Sequence, residues 1–256
     1  MMRVVKYTVA AVVGVTSALT FFFFQTFPVP WVFLVSISSW LLFLVLIQIG
    51  FRGFGREWYR LWPLRFTTAA ALVCLVTLIE WRQLQLFLVL FVGCVMAAIF
   101  HPGFLVIEQQ YKRKSYRRFL MMLWVFDAYA LTTALFALNL FFPSLPFWLL
   151  CFLGGAILST IAFMIWQLYT PGLVRQRSWW LLIMAILMVE ILWVVHILPF
   201  GYLASGLAVT WVWYLLQLLA RFHFSSHDVL WQKQWRFLLV NALLYSLFLW
   251  WFVRWV

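Results

Sequence analysis

Runs of about twenty apolar residues follow one another along almost the whole chain, separated by gaps too short to fold on their own. A helix crossing the hydrocarbon core of a bilayer needs about 20 mostly apolar residues, each rising about 1.5 Å. Marked between charged or proline-rich gaps, the runs fall at 7–25, 29–51, 66–81, 84–100, 119–142, 146–169, 178–198, 200–220 and 237–253. This predicts an all-α, polytopic transmembrane helical bundle of about nine spans. The third and fourth runs are short and are parted only by "EWRQLQ"; as a re-entrant hairpin they would lower the count to seven. With 67% apolar residues, 9% charged and a mean hydropathy of +1.03, too few polar side chains exist to coat a water-soluble globule. Residues 1–256 read as a single integral membrane domain with no soluble domain.

Lys and Arg near the ends of spans are retained on the cytoplasmic side, so the basic residues test the count independently. Placing the N-terminus in the cytoplasm puts sixteen of the eighteen Lys and Arg in inner segments: Arg3 and Lys6, four Arg between 52 and 65, five residues from 112 to 118, Arg175 with Arg177, and Arg221, Lys233 and Arg236. Only Arg82 and Arg254 fall on the far side, where the turns "QTFPVP", "FFPSLP" and "LPFG" carry no charge. The expected topology is four hairpins plus a ninth helix, N-terminus cytoplasmic and C-terminus outside, in the plasma or inner membrane.

That distribution accounts for the +12 net charge without a nucleic-acid partner, because no folded basic groove is needed. The expected partners are membrane lipids, with anionic headgroups at the cytoplasmic face drawing in each basic side chain by about 1 kcal/mol, and a membrane-protein partner. In "RGFGREWYRLWPLR", Arg52, Arg56 and Arg60 recur every four residues opposite Phe54, Trp58, Leu61 and Trp62, an interfacial helix pattern. An anchoring loop with snorkelling arginines explains it, and a specific lipid or partner site is the sharper alternative. Lys112, Arg113, Lys114, Arg117 and Arg118 form the second basic membrane-surface group.

The N-terminus has the basic residues and apolar stretch of a secretion signal, but no small-x-small site follows "TFFFFQTF", so it reads as the first span. Cys74, Cys94 and Cys151 fall inside predicted spans without a CxxC pair, which supports neither disulfides nor a thiolate metal site. Three proline and aromatic turns, "FPVPWVFL", "FPSLPFWLL" and "LPFGYLAS", resemble a weak internal repeat, although a shared turn chemistry explains them equally well.

Helices in lipid gain nothing by hiding apolar surface and pack instead through small residues. Ala10, Gly14 and Ala18 form such a stripe in the first span, Gly93 and Ala97 in the fourth, Gly155 and Ser159 in the sixth, Ala204 and Ala208 in the eighth. In the fifth, Asp127 shares a side with Ala130, Ala134 and Ala137, which points the acid toward another helix.

Of six acids, four sit at or near a membrane edge, leaving Asp127 and Glu190 as intramembrane candidates. Their depths differ, so a carboxylate pair for metal or shared-proton chemistry is not expected. Glu190 is expected to be buried against another helix, since a lipid-facing acid costs about 2.5 kcal/mol or more. His196, the third intramembrane polar candidate, lies about 240° around the helix from Glu190 and approaches the outer turn. His223 and His227 have the i, i+4 spacing of a metal pair, but Ser226 reads as the N-cap of the ninth helix, so His223 would precede that helix and leave its face. No metal site and no cofactor is expected.

No HExxH, GxSxG, paired-Asp or glycine-rich phosphate motif occurs in the chain, so no catalytic residue is assigned and an enzyme is disfavoured. Two functions from different classes remain. One is a non-enzymatic membrane-embedded scaffold or complex subunit, consistent with few polar groups beside 18 Trp and 28 Phe. The other is a small proton- or cation-coupled transporter using Asp127 or Glu190, against which the prolines lie at turns and not in mid-span.

Overall fold

The computed structural model describes residues 2–27, 29–50, 61–101, 114–169, 174–224 and 231–252, and among them regular structure is entirely helical. The helices are α1 (Met2–Thr26), α2 (Pro30–Gly50), α3 (Trp62–Leu78), α4 (Arg82–Phe100), α5 (Lys114–Phe141), α6 (Phe147–Tyr169), α7 (Val174–Ile197), α8 (Tyr202–His223) and α9 (Trp231–Phe252). Seven are long and apolar enough to cross a membrane, which fits a membrane-embedded protein. The exceptions are α3, with 17 residues, and α9, for which the side chains are described over 235–251. At about 1.5 Å per residue, α3 reaches about 25 Å against a hydrocarbon core of about 30 Å.

Prolines act as starts. Pro30 opens α2, and Pro63 sits in the first turn of α3, where the missing N–H is no loss and φ is already helical. This moves the start of α3 to Trp62, four residues ahead of the expected 66, and carries Arg65 into the helix. Exposed indoles stand in the first turns of three helices, Trp31 in α2, Trp62 in α3 and Trp148 in α6. Amphipathic rings favour the headgroup level.

The helices gather into two compact units, residues 1–116 and 117–256. In the first, α1 packs most extensively on α4, and also on α2, while α3 packs on α4. The two small-residue stripes face each other: a Cβ on Gly14 would lie 2.7 Å from Ala97 Cβ and 2.8 Å from the Gly93 carbonyl oxygen, and one on Gly93 would lie 3.1 Å from the Gly14 oxygen. Backbone thus meets backbone, the packing that substitutes for the hydrophobic effect in lipid. Trp40 of α2 donates its indole N–H to Ser17 Oγ at 2.9 Å and meets Phe21 edge-on, rings 5.1 Å apart.

In the second unit α6 packs on α7 and α8, and α7 on α8. Two fully buried tryptophans tie α6 to α8 reciprocally: Trp166 Nε1 donates to the Gln217 carbonyl at 3.2 Å, and Trp213 Nε1 to the Leu158 carbonyl at 3.0 Å. Gly155 admits the Ala185 carbonyl of α7, and Gly206 admits Thr133 of α5. Gly206, between the expected Ala204 and Ala208, is thus a further close approach on α8, and Ala208 is itself fully buried. A hydrogen bond from Trp211 Nε1 to Asn241 Oδ1 at 3.2 Å joins α8 to α9 beside the Trp211–Tyr245 ring contact.

Candidate functional site

Several polar side chains of the second unit meet at the contact between α5 and α8. These helices run antiparallel in a fixed register, for Met121 meets Arg221 at one end and Thr132 meets Thr210 further along. Thr132 Oγ1 lies 3.1 Å from Thr210 Oγ1 and 3.4 Å from the Gly206 carbonyl oxygen. Thr132, Thr133, Ser205, Thr210 and Gln217 are all buried, and so is Asp127, at 0% exposure. The Gln217 side-chain amide has no hydrogen-bond partner at either its nitrogen or its oxygen among the described residues. Buried amides are otherwise nearly always paired.

This contact has distinct ends. Where α5 starts, the Arg221 guanidinium lies 4.3 Å and that of Arg117 5.3 Å from the centre of the Tyr169 ring, and both Arg221 Nη1 and the Tyr169 hydroxyl reach Met121 Sδ, at 3.2 and 3.7 Å. At the other end, Asn139, His196, Tyr202 and Ser205 line a cavity of about 190 Å³, with the His196 ring stacked on Phe147 at 3.7 Å between centres. From Met121 to Asn139 is 18 residues of α5, about 27 Å of helix, close to the thickness of a hydrocarbon core.

Glu190 stands apart from this contact. It is exposed on α7, so within the described chain no helix covers it, contrary to the burial expected from its cost in lipid. The reason is the packing of α7, which turns Met184, Met188, Leu192 and Val195 inward and leaves only 22% of its apolar window buried, against 56% for α5. Glu190 is level with Gly155, which faces Ala185 and Val189, while Leu135 reaches Gly154. Asp127, eight residues before Leu135, therefore lies about 12 Å away along the helix axis.

No protein-family model matches the chain, nor does any curated protein or solved structure.

The basic candidates divide. Arg52, Arg56, Arg60, Lys112 and Arg113 lie outside the described residues, as does the side chain of Lys114; Arg118 is exposed and Arg117 half-buried on α5. Glu57, Glu108, His227 and Asp228 also lie outside them. His223 closes α8 beside the Trp180 ring, 5.0 Å away, and so belongs to the eighth helix. Among the described residues no three His, Cys, Asp or Glu side chains come together as metal ligands would.

Several buried polar residues escape a reading by sequence, Gln217 and Arg65 among them. Gln217 is a single amide in an apolar run, and Arg65 counts there as one more loop charge. In the fold Arg65 is only 1% exposed; its Nη1 donates to Gln48 Oε1 at 2.5 Å, and its guanidinium lies 4.6 Å from the centre of the Phe100 ring. The one signal for Arg65 is its place two residues after Pro63, inside a turn that proline starts.

Asp127→Asn is expected to keep expression and thermal stability close to wild type, since the amide fills the same space. Asp127→Leu, forcing a bulkier branched group against neighbouring helices, is expected to cost about 1–3 kcal/mol. Equal thermal unfolding of all three proteins in detergent would show that the acid has no structural role.

Proposed function

We propose that this chain is a non-enzymatic, membrane-embedded scaffold or complex subunit that docks through the uncovered face of α7. On this reading it makes nine crossings of a plasma or inner membrane with its N-terminus cytoplasmic, an orientation resting on sixteen of eighteen basic residues in alternate segments. Anionic lipid heads meet those segments from the cytoplasmic leaflet.

The observation that carries the docking role is Glu190, an acid exposed midway along an apolar helix. Trp179, Ile183, Ile186, Trp193 and Ile197 are exposed with it. With Glu190 their spacing alternates four and three residues, a seam of coiled-coil type about 27 Å long. An acid in that seam disfavours lipid and favours a second helix offering a hydrogen-bond donor or cation at the same depth. The partner is therefore a transmembrane helix with Lys, Arg, His or an amide facing Glu190. Blue-native electrophoresis of mildly solubilised membranes tests this. Wild type and Glu190→Gln should migrate as the same complex, whereas Glu190→Lys should release the chain. Migration of wild type as a lone chain, or an unchanged complex with Lys, would sink the reading.

The burial of Asp127 within its unit supports a second reading, a proton- or cation-coupled transporter. Its test is gradient-driven flux in proteoliposomes, present in wild type and lost in Asp127→Asn with the fold intact.

A further inference from the structure

The first unit carries two adjoining clefts where α1 gives way to α2 and α3 to α4. One, of about 380 Å³, is bordered by Gln25 and Thr26 of α1 and by Arg82 and Gln85 of α4. The other, of about 510 Å³, is walled by apolar groups including Phe24, Phe33, Leu34 and Val76. Gln25 and Gln85 border both, so the clefts meet at these two amides. Either volume lies in the range of small-molecule sites, which are typically apolar with a few placed polar groups.

Two of the polar groups, Gln25 and Arg82, offer an unused donor or a positive charge. Gln25 Nε2 is buried and has no hydrogen-bond partner among the described residues. Gln85 Nε2 donates to the Ile79 carbonyl at 2.7 Å, which holds that side chain in place. Thr26 Oγ1 donates to the Phe22 carbonyl within its own helix at 2.8 Å. Arg82 is exposed at the first position of α4, where the helix dipole adds to its positive charge. A cation, a helix N-terminus and an unused buried amide donor converge, and their common demand is an anionic acceptor. The opposing charge is Glu80, exposed in the turn two residues before Arg82.

We propose that the paired clefts bind an anionic amphiphile, its oxygen head between Arg82 and Gln25 and its hydrocarbon chain along Phe24, Phe33 and Val76. The head chemistry is that of a carboxylate or a phosphodiester, so a free fatty acid and a phospholipid are the two sources. The site is independent of the Glu190 seam, which lies in the other unit.

Native mass spectrometry of the full chain in neutral detergent, titrated separately with oleate, dioleoylphosphatidylglycerol and uncharged monoolein, tests the proposal. A saturable adduct is expected with an anionic amphiphile and not with monoolein. Oleate alone identifies a free carboxylate, phosphatidylglycerol alone a phospholipid, and both an anionic head recognised irrespective of source. Arg82→Gln and Gln25→Leu should each weaken binding about tenfold, about 1.4 kcal/mol, and Glu80→Gln should tighten it. Because Arg82 is exposed, Arg82→Gln carries the test even if Gln25→Leu unfolds. Equal adducts with monoolein, absence of any saturable adduct, or undiminished binding in folded Arg82→Gln would overturn the proposal.

Discussion

Gly14→Leu is expected to disrupt the first unit, with a loss of about 1–3 kcal/mol or more and a lower thermal midpoint in detergent. The first added carbon would already lie 2.8 Å from the Gly93 carbonyl oxygen and 2.7 Å from Ala97 Cβ, and backbone cannot rotate away as a side chain does. Opening the helix pair would relieve the clash only by forfeiting the small-residue contact that joins α1 to α4. Val15 is the control, since it is 58% exposed and Val15→Leu should change stability by less than about 0.5 kcal/mol. Matching unfolding curves for the two variants would mean that the α1–α4 contact does not hold the unit together.

Gln48→Leu should cost about 1.5–3 kcal/mol, the worth of a hydrogen bond to a charged group, because it takes an acceptor from the buried Arg65 guanidinium. Replacing both residues, Gln48→Leu with Arg65→Met, should recover most of that loss, since the charge that needed the acceptor is gone and an apolar chain of similar length remains near Phe100. The double variant is thus predicted to be more stable than Gln48→Leu alone, and thermal unfolding of the four proteins of the cycle measures it. Additive losses would show that Gln48 and Arg65 act independently.

Helix content was legible because lipid demands internal backbone hydrogen bonding along every apolar run. The small-residue stripes were legible too, but not which stripe meets which: Gly14 and Gly93 lie on helices that are not neighbours in the chain, and periodicity identifies a face without its partner. Glu190 shows the complementary difficulty. Its cost in lipid is readable from hydropathy, whereas its direction depends on which residues of α7 interlock with α6 and α8, and there Met184, Met188 and Leu192 prevail. For Asp127, a run of alanines on the same side of α5 made the direction readable. Arg65 was obscured because charge counting treats every arginine beside a span alike, while Pro63 decides that this one is helical. Gln217 had no neighbouring signal at all, being distinguished only by the tryptophan of another helix that bonds its backbone.

The pairing of α1 with α4 also sets an order of events at the ribosome. Gly14 and Gly93 are 79 residues apart, so α1 emerges roughly 4–16 s before its partner glycine is synthesised, at about 5–20 residues per second. For the last 43 residues of that interval α2, ending at Gly50, is complete, and Trp40 reaching Ser17 gives α1 a first contact. Chain order thus offers α1 its contact with α2 first, and the glycine face is met by α4 only afterwards.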